Sequence, residues 1–399
     1  MIRNYILLQI GIALIVIFPS QLSMHHSSWT PLTGIGLIIF VLIFSTLLIF
    51  QKKLKLRIPM ILRLLFLGIL FSSTISFSFT GNFKSIIVYG ALISLFIVVR
   101  LFSEAVKNLD KLVNDIIFWA CLCGTLILLL GIGKEFSFLN YKGFFLNSNS
   151  MGMFCAGLIH MIMGILFGFK NYLSKSRFLF YVSLLSICIT FLIASSSRAA
   201  ILSVILTFII LLYLKYQNTL SILKLKLNIK NLKEIFYIVI SIFLIFLLLN
   251  SFDIFDQIIL KFNRPNMSSG DLTSGRIDSW LFSINNWSWF GYSDFGNFAS
   301  NYNLNYIGHS TWLMHLNNYG LISFSFFISW ILIMLYWSWS KVKNYEKYKL
   351  NSNIILFVTL LGYVINASFE EATSTPGIII SIIIFAILFR RPGNNMINN

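Results

Sequence analysis

Two arginines and one histidine are the residues best suited to chemistry in this sequence. Arg198 follows Ser195-Ser196-Ser197 in a short break between two apolar runs, Arg276 lies within a polar stretch over residues 253–319, and His309 lies near the end of that stretch. A guanidinium binds phosphate oxygens bidentately through its planar fork. A histidine side chain changes charge near neutral pH and can act as a base. These residue types indicate an anion site with an acid–base group nearby.

Each of these residues also has a purely structural interpretation. Arg276 is expected in the first turn of a helix, where backbone N–H groups help to hold an anion, but it could instead pair with Asp278 or a lipid phosphate. An ionisable residue at a membrane boundary is a functional candidate. Arg198 at such a boundary could instead extend its head to the lipid headgroups. Arg264 is the third arginine expected on the same side.

The elements that must position these residues are membrane-spanning helices. The chain has 399 residues, of which 57% are hydrophobic and 11% are charged, and this excludes a water-soluble enzyme because soluble chains carry about 25% charged residues. Apolar runs long enough to cross a bilayer predict twelve spans, near residues 4–19, 32–50, 60–79, 86–103, 116–133, 151–169, 178–195, 199–214, 236–252, 320–338, 353–369 and 378–389.

The basic residues give this frame an orientation. About three quarters of the 30 Lys and Arg residues fall in alternate loops, which by the positive-inside rule places both termini in the cytoplasm. The net charge of +17 therefore needs no nucleic-acid partner, since anionic lipid headgroups attract these loops. All four cysteines lie within predicted spans and indicate neither a disulfide framework nor a metal site.

Residues 253–319 form one long outer loop within this single membrane domain. Long loops of this kind are usually functional, and the many aromatic residues here need burial. Ile277, Trp280, Leu281 and Ile284 follow helical spacing and predict an amphipathic helix that begins near Ser274 or Gly275. Such a helix would lie on the membrane surface or cap a cavity.

Three motif blocks resemble the family of bacterial O-antigen ligases and Wzy-type polysaccharide polymerases. The first is Gly143-Phe144-Phe145-Leu146-Asn147-Ser148-Asn149 and the second is Ser195-Ser196-Ser197-Arg198-Ala199-Ala200. The third combines Ser274-Gly275-Arg276 and Trp280 with Trp289-Phe290-Gly291-Tyr292, and then runs from His309-Ser310 to Asn318-Tyr319-Gly320. The resemblance covers roughly residues 140–325 by motif, and the rest of the chain by hydropathy alone.

This resemblance implies an all-α helix bundle of the GT-C-like type and a glycosyltransferase of the bacterial plasma membrane. Donor and acceptor would both be undecaprenyl-diphosphate-linked oligosaccharides, and neither a metal nor another cofactor would be needed. Arg198 and Arg276 would bind the lipid diphosphate, and His309 would orient or deprotonate the attacking sugar hydroxyl. Supporting positions would be Arg264, Asp278, Trp280, Asn149, Ser310, Glu370 and Glu371. Asp278, Asp294, Glu370 and Glu371 remain rival bases.

The leading interpretation is a polymerase that joins repeat units of capsule, exopolysaccharide or O-antigen. Flippase and chain-length regulator proteins are its expected partners. A ligase that passes finished glycan to another acceptor is the nearest alternative. A flippase or transporter is a third interpretation, but it would be expected to carry polar or charged residues along a central path, and the predicted spans carry few beyond His160.

Overall fold

The fold is known from a computed structural model. It describes residues 58–81, 83–104, 106, 108–133, 141–143, 145, 147–168, 173–222, 276–293, 295–302, 310–342, 352–370 and 376–389. Over these residues α-helix dominates, with one short 3-10 turn at Gly131–Gly133. This agrees with the predicted all-α class.

Eleven α-helices, numbered here in chain order, make up the described part of the chain. Their bounds are α1 Met60–Thr80, α2 Lys84–Glu104, α3 Leu109–Leu130, α4 Ser148–Gly168, α5 Lys175–Ser195, α6 Arg198–Ile222, α7 Arg276–Asn285, α8 Phe295–Ser300, α9 Thr311–Val342, α10 Ser352–Phe369 and α11 Pro376–Leu388.

Seven of the described helices are long and apolar enough to cross a membrane, namely α1 to α5, α9 and α10. The apolar parts of α6 and α11 are shorter. The chain is thus a multi-pass membrane protein. Each predicted span from 60–79 to 199–214 and from 320–338 to 378–389 coincides with a helix, whereas the spans predicted at 4–19, 32–50 and 236–252 lie outside the described residues.

Helix α4 lies at the centre of the bundle and runs antiparallel to α10. Gly164 faces the backbone of Ile355, and further along the pair Gly362 faces the ring of His160. A glycine allows two helix backbones to approach closely, which is a common way to pack helices inside a membrane. This close packing brings the start of α4 to the end of α10.

Helix α9 is broken at Gly320, whose backbone angles of φ 85° and ψ 160° are not helical. Such angles are essentially restricted to glycine. The break separates an outer arm, Thr311–Tyr319, from the long apolar part of the helix. The sequence predicts a span only from residue 320, and the residues before it prove to be helical as well.

Segment Ser288–Tyr292 packs against this break. The Tyr292 amide donates to the Asn317 carbonyl at 2.8 Å, and the Leu321 amide donates to the Ser288 carbonyl at 2.9 Å. From α1, the Ser76 hydroxyl donates to the Phe290 carbonyl at 2.5 Å. We call this set of backbone contacts the loop clasp. It joins the Trp289-to-Tyr292 motif to the Asn318-to-Gly320 motif.

Candidate functional site

A tight serine turn places Arg198 at the first position of α6. Ser196 has a left-handed backbone, with φ 52°, and the Ser195 hydroxyl donates to the Leu192 carbonyl at 2.6 Å while accepting from the Ser197 amide at 3.3 Å. Ser195, Ser196 and Ser197 are all buried. The sequence predicted this break, and the structure fixes Arg198 at the end of the bundle.

Gly152 of α4 makes room for this turn. A Cβ built on Gly152 would collide with the Ser197 side chain and lie only 2.8 Å from the Ser195 hydroxyl oxygen. Real Cβ atoms essentially never come this close to a neighbour. The first turns of α4 therefore lie directly against the turn that carries Arg198.

On its other side, the start of α4 meets the end of α10. Asn149 donates from Nδ2 to Oε1 of Glu370 at 3.2 Å. The Glu370 side chain is one of the few buried charged groups, with 5% exposure. Asn147 accepts from the Ser150 amide at 2.8 Å, which caps the start of α4 and holds Asn149 in its first turn.

The start of α9 is fastened to the same end of α10. Thr311 donates to the Glu370 carbonyl from its amide at 3.2 Å and from its hydroxyl at 2.9 Å. The hydroxyl of Ser310 donates to the Ala367 carbonyl at 3.3 Å. These bonds satisfy carbonyls that the end of a helix leaves without an intrahelical partner. They place Ser310, the residue that follows His309 in the sequence, beside Glu370.

Helix α7 also reaches the end of α10, where the Trp280 ring lies 6.2 Å from that of Phe369. The predicted amphipathic helix is confirmed as an element, but it packs by a different face. Ser279 and Ser283 are buried, whereas Ile277, Leu281 and Ile284 are about half exposed. Small side chains allow α7 to approach the bundle closely and leave the apolar stripe on its surface.

Segments of α4, α7 and α9 thus meet at the last turn of α10, and the serine turn before Arg198 packs against α4 about one helical turn further along. We call the resulting cluster the polar site and define it by Asn149, Ser197, Arg198, Asn366 and Glu370, with Ser310, Thr311 and Trp280 at its edge. Buried polar atoms without a hydrogen-bond partner occur here: Ser197 Oγ, Asn366 Oδ1 and Trp280 Nε1. Such atoms are unfavourable unless water or a ligand satisfies them. The cluster is therefore suited to binding a polar molecule.

The predicted site residues divide into three groups. Asn149, Arg198, Trp280, Ser310 and Glu370 lie in or beside the polar site. Asp278, by contrast, is exposed on α7. Arg276 begins α7, but its side chain is outside the described residues, as are Arg264, Asp294, His309 and Glu371.

A second buried polar contact, between α2 and the outer arm of α9, was missed by the sequence analysis. The Tyr89 hydroxyl lies 2.7 Å from Nδ1 of His315, and the His315 ring stacks on Phe327 with centroids 4.7 Å apart. Nε2 of His315 is buried and has no hydrogen-bond partner among the described residues. Because the tyrosine and histidine lie 226 residues apart, no local pattern could have revealed the pair.

The comparisons with known proteins identify no relative. No family model matches this chain, and no curated protein or solved structure is significantly similar to it. The resemblance to ligases and polymerases therefore rests on the motifs themselves. In the described part of the chain, no three His, Cys, Asp or Glu side chains form a group able to hold a metal ion.

Proposed function

We propose that this protein is a membrane polysaccharide polymerase. It joins undecaprenyl-diphosphate-linked oligosaccharide repeat units by glycosyl transfer on the outer face of the plasma membrane. The observation that supports the proposal most is that the three motif blocks pack together: the first and third meet at the last turn of α10, and the second packs against α4 beside the first. Asn149 comes from the first block, Arg198 from the second, and Ser310 and Trp280 from the third.

The two arginines supply the positive charge that the reaction requires. Transfer of the growing glycan breaks the bond between its anomeric carbon and a diphosphate oxygen, and negative charge develops on that oxygen. Positive groups fixed in place before the reaction stabilise such charge. Arg198 is held at the start of α6 by a buried turn. Arg276 is the first residue of α7, so each arginine stands at the start of a helix on this side of the bundle.

The acceptor hydroxyl needs a group that orients it and takes its proton. His309 fills one or both roles by resemblance, and its neighbour in sequence, Ser310, is anchored to α10. The rival carboxylate Glu370 lies in the same region. General base catalysis of this kind contributes about 10² to 10⁴ in rate.

A transporter fits the observed distribution of charge less well. In the described part of the chain, the buried charged side chains are Arg100 and Glu370. They lie near opposite ends of the bundle, at the end of α2 and just after α10. A charged path through the membrane, as pumps and transporters often carry, is not formed by these residues.

The test replaces Arg198 in cells that make the lipid-linked repeat. Arg198→Ala and Arg276→Ala should leave the protein inserted in the membrane while single repeats accumulate, with polymer falling by about 10²-fold or more because charge stabilisation is lost. The matched control is Arg177→Ala, an exposed arginine at the start of α5, and it should keep normal polymer.

The length of the glycan on the carrier lipid separates the two enzyme classes. A polymerase deletion leaves single repeats on the carrier, whereas a ligase deletion leaves long chains there. Long polymer in both arginine variants would contradict the proposed function. Long chains retained on the carrier after deletion would favour the ligase.

A further inference from the structure

Glu370 is the buried carboxylate around which the polar site is built. Of the rival bases within the described residues, Asp278 is exposed on α7, whereas Glu370 is 5% exposed and contacts three elements. We propose that Glu370 is the catalytic base that accepts the proton of the attacking sugar hydroxyl. This assignment rests on the proposed polymerase function; it gives the proton transfer to Glu370 and leaves His309 the role of orienting the acceptor hydroxyl.

The side chain of Glu370 is held at one oxygen by α4. Asn149 donates to Oε1 at 3.2 Å, which restrains that oxygen. Asn149 itself lies in the first turn of α4, where the Asn147 cap holds it.

The backbone of Glu370 is fixed as firmly as its side chain. Its amide donates to the Asn366 carbonyl at 2.9 Å, and its carbonyl accepts from the amide and the hydroxyl of Thr311. These contacts come from α10 and α9, so that three helices determine where the carboxylate lies. A base must be held close to its productive position to be effective, since small displacements can lower the rate greatly.

The first turn of α4 also sets the separation between base and cation. Asn149 contacts Glu370, and Gly152, three residues further along, contacts the turn that precedes Arg198. Three residues of α-helix rise about 4.5 Å. The serine turn before Arg198 and the Glu370 carboxylate therefore contact α4 about one helical turn apart, and the proposal assigns the donor diphosphate to the first and the acceptor hydroxyl to the second.

In the proposed glycosyl transfer one bond forms, one bond breaks and one proton moves. The acceptor hydroxyl oxygen forms a bond to the anomeric carbon of the donor, and the bond from that carbon to the diphosphate oxygen breaks. Undecaprenyl diphosphate leaves with the electron pair, and the hydroxyl proton moves to the Glu370 carboxylate. Transfer of this proton to the released diphosphate or to water restores the base.

Burial of Glu370 also suits a transferase better than an exposed base would. Water competes with the sugar hydroxyl for the anomeric carbon, and its exclusion prevents hydrolysis of the donor. A carboxylate at the position of Asp278 would activate water as readily as a sugar. The neighbouring Asn366 and Ser197 have buried polar atoms without partners, which could bind further hydroxyl groups of the acceptor.

The experiment uses the full chain, purified in lipid nanodiscs, with the lipid-linked repeat extracted from a host that lacks this protein. Glu370→Gln keeps the size of the side chain and an oxygen for Asn149 but loses the proton acceptor. We expect kcat to fall by about 10² to 10⁴-fold, while the affinity for undecaprenyl diphosphate stays within about threefold. Glu370→Asp should recover part of kcat.

The matched control makes the same carboxylate-to-amide change at the other end of the bundle. Asp110 accepts a hydrogen bond from Ser352, and Asp110→Asn should keep wild-type turnover. A Glu370→Gln protein with kcat within about tenfold of the wild type would overturn the role of Glu370, as would an equal loss of diphosphate affinity. Absence of polymer from the wild-type protein would overturn the proposed function itself.

Discussion

At the scale of single residues, Gly152 decides how closely α4 approaches the serine turn before Arg198. Its missing side chain is what permits the contact, because a Cβ there would collide with Ser197. Gly157, on the same helix, faces the start of α11 more loosely, with 3.3 Å between its built Cβ and the nearest atom, the Gly377 amide nitrogen. These two glycines allow the contact with the serine turn to be tested within one helix.

Replacing Gly152 by alanine should destabilise the protein and displace Arg198. Overpacking a well-packed interior costs about 1–3 kcal/mol, and the first atoms to move would be those of Ser195 and Ser197. Thermal unfolding in detergent should show the lower stability, and polymer length in cells should show the lost activity. Gly157→Ala should be close to neutral, since the gain in helix propensity of about 1 kcal/mol offsets a milder contact. Equal behaviour of the two variants would contradict this role of Gly152.

The sequence could reveal only those site residues that have a local signature. Arg198 was found because three serines interrupt an apolar run, and Asn149 because it closes a motif before a span. Glu370 could be named as one rival base but not selected, because its partner Asn149 lies 221 residues away. Asn366 was missed for a similar reason, since a single amide within an apolar run has no distinctive local pattern.

At the scale of elements, the break in α9 depends on two glycines that face each other. Gly291 and Gly320 both have φ 85°. A Cβ on Gly320 would collide with the Trp289 carbonyl oxygen, and one on Gly291 would lie 2.6 Å from the Asn318 carbonyl oxygen. The loop clasp forms only because neither side chain is present. Through it, the segment that follows α7 is held against the outer arm of α9.

Gly320→Ala should open the loop clasp and lower stability by about 2 kcal/mol or more, because backbone strain of about 1–3 kcal/mol adds to a direct collision. Gly81→Ala is the matched control. Gly81 has a similar positive φ of 68° but no atom within 4 Å of a built Cβ, so it measures strain alone. The melting temperature of each variant checks the difference. A Gly320→Ala protein no less stable than Gly81→Ala would show that the clasp contributes little.

Helix α7 shows where periodicity predicts an element but not its orientation. The apolar spacing of Ile277, Leu281 and Ile284 indicated the helix correctly. In a soluble protein this stripe would face the core. Here it is exposed, and Ser279 and Ser283 face inward instead. Where the surroundings include lipid, small residues give close helix contacts and an apolar stripe needs no protein partner.

At the scale of the whole molecule, the polar site and most of the described basic residues lie at different ends of the bundle. The starts of α4, α6 and α9 and the end of α10 share the site end, as the contacts of Gly152, Asn149 and Thr311 show. The opposite end holds many of the described Lys and Arg residues. They lie on helices α1, α2, α3, α5 and α9: Arg63, Arg100, Lys111, Lys175, Arg177 and Lys341. The basic residues flank the apolar runs in the sequence, and the apolar runs become the helices. Hydropathy and charge could therefore predict the order of the spans.

The positive-inside rule predicts that the site end faces outward, and single-cysteine labelling tests this. Ser293 is exposed near the loop clasp, and Ser176 is exposed at the start of α5, at the opposite end. In a background with Cys121, Cys123, Cys155 and Cys188 replaced by serine or alanine, Ser293→Cys should react with a membrane-impermeant maleimide in intact cells. Ser176→Cys should react only after permeabilisation. The reverse pattern would place the polar site in the cytoplasm, where a polymerase of exported repeats could not work.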